Sequence, residues 1–193
     1  MIPLIKQEYK FMQTKKDSPP LVWLDLEMTG LDPNSERIIE IATVVTSSDL
    51  EEVFEGPNLV IKQPQEFIDG MDDWNLNQHG SSGLLECLKV TEITELEAEK
   101  ATLNFLRDHT EKGTSPLCGN TIYHDRRFLV RYMPELADFF HYRNIDVSSI
   151  KELIKRWKPE FTKNLEKSNN HRALSDVYES INELKVYREN FFL

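Results

Sequence analysis

Cysteine, lysine-arginine blocks and long apolar runs are all scarce in this sequence. Its two cysteines, Cys87 and Cys118, cannot build the disulfide framework of a small secreted domain, so a reducing, cytoplasmic setting is expected. The longest apolar runs cover only a few residues, such as LVWL at 21–24. None approaches the roughly 18 that a membrane-crossing helix needs, so no membrane partner is expected. Acids outnumber bases by 33 to 23, leaving a net charge of −10 over 193 residues. The broad basic face by which proteins neutralise long duplex nucleic acid is missing. Either the partner is not a nucleic acid, or it presents few phosphates to a site where metal ions carry the positive charge.

The composition is that of an ordinary globular protein, 39% hydrophobic and 29% charged, with length for one domain. Residues 1–20 contain four lysines and end in Pro19-Pro20. They lack the apolar core of a secretory signal and read as an extension before a domain at 21–193. Residues 21–26, 37–46 and 53–63 read as strands, the third interrupted by Gly56-Pro57. Residues 94–109 read as a helix. Thr94 and Glu97 match a capping box, and Leu96, Leu103 and Leu106 share a face. A short strand at 116–119, a helix at 124–140 broken at Pro134, a strand at 145–147 and helices at 149–157 and 173–187 complete the order. Three adjacent strands followed by β-α units predict a meander extended by parallel strands, a mixed five-stranded α/β sheet.

The chemistry begins with Asp25 and Glu27 in LVWLDLEMTG. Residues two apart on a strand share a face, and two carboxylates on a core strand repel unless a proton or cation compensates. An isolated pair of this kind reads first as solvated acids at a strand end, but Trp23, Leu24 and Leu26 make this a core strand, where unpaired charge is expensive. Asp125, in GNTIYHDRRFL, starts a helix, where an acid also simply complements the helix dipole. His171 and Asp176, in HRALSD, are about 500° apart on a helix and share a side only if His171 lies in the entering loop. Together, four acids at the ends of core elements plus one histidine make an oxygen-rich set without thiolates. Such a set suits Mg²⁺ or Mn²⁺ rather than zinc, and two divalent cations balance four carboxylates. A pair of such ions can clamp an in-line phosphoryl displacement, with a neutral histidine taking a proton from the attacking water.

The segments LVWLDLEMTGLDPNSERIIEIA, MDDWN, GNTIYHDRRFL and HRALSD, in this order and spacing, resemble the oligoribonuclease family of DEDDh 3′–5′ exonucleases over residues 20–190. The resemblance implies a ribonuclease-H-like fold, Asp25, Glu27, Asp125 and Asp176 as metal-binding carboxylates, and His171 as general base. It implies a homodimer that cuts very short single-stranded RNA from the 3′ end to nucleoside 5′-monophosphates. Tyr123-His124 and Ser175 depart from the family pattern and bear on substrate fit rather than on the five matched residues.

Leu31 and Trp74 are placed to sandwich bases, a sequence-tolerant contact, with Trp74 expected on a partly exposed loop. His79, on the same loop, falls by the resemblance near the terminal nucleotide. In FFHYRNIDVS the resemblance assigns Tyr142 to stack on a base and Arg143 to fork a 5′-phosphate in the partner subunit's site, with Thr121 and Ser148 adding hydroxyls. Phe139 and Phe140 are expected to be exposed with them. Lys151, Lys155, Arg156 and Lys158 read as a solvated helix face. Two rivals stand beside this reading. A DNA-end proofreading exonuclease would be expected to carry a basic groove. A non-catalytic RNA-binding protein of the same fold would be expected to have lost a carboxylate.

Overall fold

The computed structural model describes residues 18–161 and 172–192. Residues 1–17 of the expected extension and the candidate base His171 lie outside them. Strands β1 (Leu21–Met28), β2 (Ile38–Thr46) and β3 (Val53–Val60) pair antiparallel. β4 (Leu117–Gly119) and β5 (Asn144–Asp146) join the other edge of β1 in parallel. The order is β3-β2-β1-β4-β5, the expected mixed five-stranded sheet in a single domain. The helices are α1 (Gln65–Asp69), α2 (Asp73–Ser81), α3 (Leu84–Leu88), α4 (Glu95–Arg107), α5 (Tyr123–Tyr132), α6 (Pro134–Ala137), α7 (Val147–Trp157) and α8 (Ala173–Tyr187).

Helices cover both sheet faces, so every residue of β2 is buried. On one face Val22, Leu24 and Leu26 pack with Leu103 and Leu106 of α4 and Phe128 and Leu129 of α5. On the other Trp23, Ala42 and Val44 pack with Ala173, Val177 and Ile181 of α8. The alternation of β1 therefore sends Asp25 and Glu27 to the α8 side. Among the described residues no helix is long and apolar enough to cross a membrane.

Several expectations need correction. β3 is one strand that ends at Val60, and the expected interruption at Gly56-Pro57 is a bulge, two residues facing the single Thr43 where the pairing with β2 shifts register. Pro57 needs no ladder donor on an edge strand, and Gly56 leaves room for the Phe105 ring. The Thr94 capping box is present, but Leu96 is 56% exposed and the inner face of α4 is Ala98, Thr102, Leu103 and Leu106. Trp74 and His79 stand on a helix rather than a loop: Asp72 caps α2 by accepting from the Asn75 N–H at 2.8 Å. Phe139 and Phe140 are buried in the core and are no part of a surface patch.

Candidate active site

Asp25 and Glu27 project, half-buried, toward α8, whose first turn carries Asp176. Carboxylate oxygens of these three residues all lie within 4.8 Å of one another. Asp125 arrives from another direction. β4 is only three residues long, so β1 outruns it. The Leu26 N–H instead donates to Asp125 Oδ1 at 2.9 Å. A side chain at Gly119 would collide with the Leu24 carbonyl at 2.9 Å. Glycine there lets the chain pass close to β1 before turning into α5.

Crowding of like charge in a poorly hydrated place is the site's main electrostatic feature. Burial, then the charges of Asp125, Glu27, Asp176 and Glu40, push the Asp25 carboxyl well above its ordinary value. Burial, then Asp176, Glu40 and Asp125, raises Glu27 to about 8, with Arg172 pulling the other way. Burial raises Asp125 to about 7 against the hydrogen bond from Leu26. An oxygen-only donor set whose members resist ionising together fits a hard divalent cation, which compensates the charge that water cannot.

The expected substrate residues separate into two groups. Leu31, three residues past β1, and Trp74, on α2, are 69% and 64% exposed, as a stacking role needs. His79 is buried, with Nε2 3.0 Å from the Met28 carbonyl and Nδ1 3.8 Å from Glu27 Oε2. It therefore ties α2 to the end of β1. The Leu31 loop is held from below. Arg37 lies between the rings of Phe67 and Tyr132, 3.9 and 4.9 Å from their centroids. The Tyr132 hydroxyl sits 2.7 Å from the carbonyls of both Pro33 and Glu36.

Thr121 and Ser148 meet at the start of α5 and α7. Thr121 has a left-handed φ of 53°, held by its N–H donating to Ser148 Oγ at 2.8 Å and Asp146 Oδ1 at 3.1 Å. Tyr142 is 73% exposed, with Arg143 stacked over its ring at 5.2 Å. The register aligns Asn144 with Leu117, and Leu117 with Val22. With about 3.3 Å per residue and 4.8 Å per strand, the backbone of Arg143 is roughly 16 Å from that of Asp25. Within one chain these two residues do not join the carboxylates. Of the departing residues, Tyr123 is exposed and stacks on His124 at 4.3 Å. Lys151 is no solvated charge, because it pairs with Glu183 at 2.7 Å.

Two neighbours of the site were not expected from the sequence. Glu40 is fully buried on β2, directly across from Glu27, and Arg172 grips it through Nη2 at 2.6 Å and Nε at 3.0 Å. The available signal was an acid inside the otherwise apolar run IIEIATVV, since a buried charge requires a partner.

The chain matches the exonuclease family RNase_T over residues 22–184. The oligoribonuclease of Bordetella pertussis is 58% identical over 170 residues, 88% of this chain and 94% of the relative. That of Chromobacterium violaceum is 53% identical over 176 residues, 91% of this chain and 97% of the relative. Among solved structures, the zinc-bound form of the E. coli exonuclease I complex with single-stranded DNA superposes with a TM-score of 0.67. It is 17% identical over 90% of this chain, which spans 41% of the exonuclease I chain. Exonuclease I of Methylocaldum szegediense gives a TM-score of 0.63 at 16% identity, over 90% of this chain and 41% of its own. At these identities the two exonuclease I structures speak for the fold.

Proposed function

We propose that this chain, which belongs to the oligoribonucleases of the RNase_T exonuclease family, is a metal-dependent 3′–5′ exoribonuclease that reduces very short RNA to nucleoside 5′-monophosphates. The observation that carries the reading is the convergence of Asp25, Glu27 and Asp176 oxygens within 4.8 Å, with Asp125 locked beside them on the Leu26 N–H.

Asp25, Glu27, Asp125 and Asp176 would hold two divalent cations, Mg²⁺ or Mn²⁺. Such ions, when bound, neutralise the phosphate and make water a stronger acid. The protein's own part is placement and proton transfer. Leu31 and Trp74 take the terminal bases between them by stacking. His79 fixes the end of β1, and with it the Glu27 carboxylate. His171, as a neutral imidazole, accepts the proton of the attacking water. Arg172, the residue after it, is anchored on Glu40.

The roughly 16 Å between Arg143 and Asp25, reckoned from the strand spacing, supports a homodimer in which Tyr142 and Arg143 serve the partner's site, beside Thr121 and Ser148. A two-fold interface repeats each such contact. Unpaired Cys87 and Cys118 support a reducing, cytoplasmic location.

The test is incubation of the purified protein with 5′-labelled RNA of two to ten nucleotides, with Mn²⁺, with Mg²⁺ and with EDTA. Release of 5′-monophosphates, fastest on the shortest RNA and abolished by EDTA, is expected. Equal cleavage of long DNA ends would favour the proofreading reading. Tight RNA binding without products would favour the non-catalytic one.

A further inference from the structure

A fifth carboxylate, Glu40, stands close enough to raise Asp25 and Glu27 and is held apart from the four of the site. Glu40 is the cross-strand partner of Glu27, so the two side chains stand on the same face. Glu40 is wholly buried, whereas Arg172 keeps 31% of its side chain exposed. Both Glu40 oxygens are occupied. Oε1 accepts from Arg172 Nη2 at 2.6 Å and Nε at 3.0 Å. Oε2 accepts from Arg172 Nε at 3.1 Å and from the Ala173 N–H at 3.0 Å. Arg172 is the N-cap of α8 and offers no side-chain cap of its own. Glu40 thus reaches across from β2 to satisfy a helix-end donor. Four residues after Arg172 stands Asp176, whose N–H donates to the Arg172 carbonyl at 3.1 Å.

We infer that Glu40 is a positioning residue: paired with Arg172 and bonded to the Ala173 N–H, it fixes the start of α8 and thereby sets Asp176 against Asp25 and Glu27. The pairing is reciprocal. Arg172 keeps Glu40 from acting as a fifth cation ligand, and Glu40 keeps the guanidinium from neutralising Glu27 or Asp176. This rests on the nuclease reading of the site and adds a residue outside its ligand set. A fork-shaped guanidinium suits the task, because its planar donors fix both distance and direction.

The experiment compares wild type, Glu40→Gln, Glu40→Asp and the double variant Glu40→Gln/Arg172→Gln. Three readouts are needed: Mn²⁺ titration by calorimetry, amide hydrogen exchange at 173–176, and kcat and KM on a dinucleotide. Glu40→Gln frees the guanidinium to compete for the carboxylates. Mn²⁺ affinity and kcat should each fall about 10- to 100-fold, the usual effect of losing a partner just outside the ligands, with KM within about 3-fold. Exchange at 173–176 should accelerate while the α4 amides stay protected. The double variant should recover only part of the Mn²⁺ affinity, having lost the competing cation while Asp176 stays unset, and should keep the low kcat and fast exchange. Glu40→Asp retains the charge and guards against a misfolded Gln variant. It should bind Mn²⁺ more tightly than Glu40→Gln, because it still holds the guanidinium, but lose kcat, because its shorter side chain draws the fork back.

A Glu40→Gln protein with wild-type exchange, kcat and Mn²⁺ affinity overturns the inference. So does a double variant with wild-type exchange at 173–176 and wild-type kcat, because the start of α8 would then be set without Glu40. Wild type that binds Mn²⁺ but cuts no short RNA would instead sink the nuclease reading, and the calorimetry and exchange would still decide the part of Glu40.

Discussion

Removing divalent cations should make this protein less stable as pH rises through neutrality, opposite to the trend that salt-bridged carboxylates produce. Glu27 carries the argument. Its carboxyl is raised from an ordinary 4.5 to about 8, by burial first and by Asp176, Glu40 and Asp125 next. Between those two values the folded chain holds a proton that the unfolded chain has lost. Stability from this group is thus complete below pH 4.5 and is surrendered as pH climbs toward about 8. At about 1.4 kcal/mol per pH unit, the rise has a ceiling on the order of 5 kcal/mol. The side chain is only 15% exposed, so solvent screening removes little of it. For a chain of this length about 2–4 °C of melting temperature accompanies each kcal/mol, and a fall of order 10 °C follows. Asp25 is shifted in the same direction and adds to it. The assay is thermal unfolding followed by circular dichroism at pH 5.5, 6.5, 7.5 and 8.5, in EDTA and in excess MnCl₂. In EDTA the melting temperature should fall with pH. Mn²⁺ should raise it most at pH 8.5, where the carboxylates are ionised. Glu27→Gln, neutral at every pH, should flatten the EDTA curve. An EDTA profile that is level or rising, or a Glu27→Gln profile that overlays wild type, would refute the reasoning.

Three further outcomes are expected. His171→Ala should lower kcat about 10²- to 10⁴-fold, the span of general-base catalysis, while calorimetric Mn²⁺ affinity is unchanged; rescue by added metal would make it a ligand instead. Trp74→Ala should cost about 1–3 kcal/mol of stacking per base, read as a higher KM for dinucleotides with unaltered Mn²⁺ binding. Mixing inactive Asp25→Ala with inactive Arg143→Ala should restore activity wherever a heterodimer joins an intact carboxylate set to an intact partner Arg143; no recovery, with exchange shown independently, would exclude sharing.

The sheet was legible because its signals are local and redundant. In β1 an apolar run with acids two apart fixes strand, face and site at once, and α4 announces itself through the Thr94–Glu97 box. The helices between Gln65 and Leu88 were not legible. They are short, and α2 carries Asp, Asn and Gln through its middle with only His79 fully buried. Leu96 and the pair Phe139-Phe140 failed for a related reason: periodicity gives a face but not what covers it. Pro134 starts α6, which turns Phe139 and Phe140 inward. Of the site, the four acids could be read because each stands at the end of a recognisable element. The Glu40–Arg172 pair spans 132 residues, and no local pattern joins such partners.

The repulsion in this site cannot relax by movement, and that gives the carboxylates their use. Leu24 and Leu26 are locked into the core on the opposite face of β1, so Asp25 and Glu27 cannot rotate outward without withdrawing buried leucines. Asp176 is equally bound, because Ala173, Val177 and Ile181 of the same helix are packed on Trp23 and Val44. Asp125 is committed to the Leu26 N–H, a donor created by the early end of β4. With every backbone fixed by apolar burial, only a proton or a cation can lower the energy of the cluster. Protons leave as pH rises above about 8 at Glu27. Cations need not, since their affinity grows as the carboxylates ionise. The hydrophobic framework thus holds a set of charges apart from water that is unfavourable alone and favourable around divalent ions.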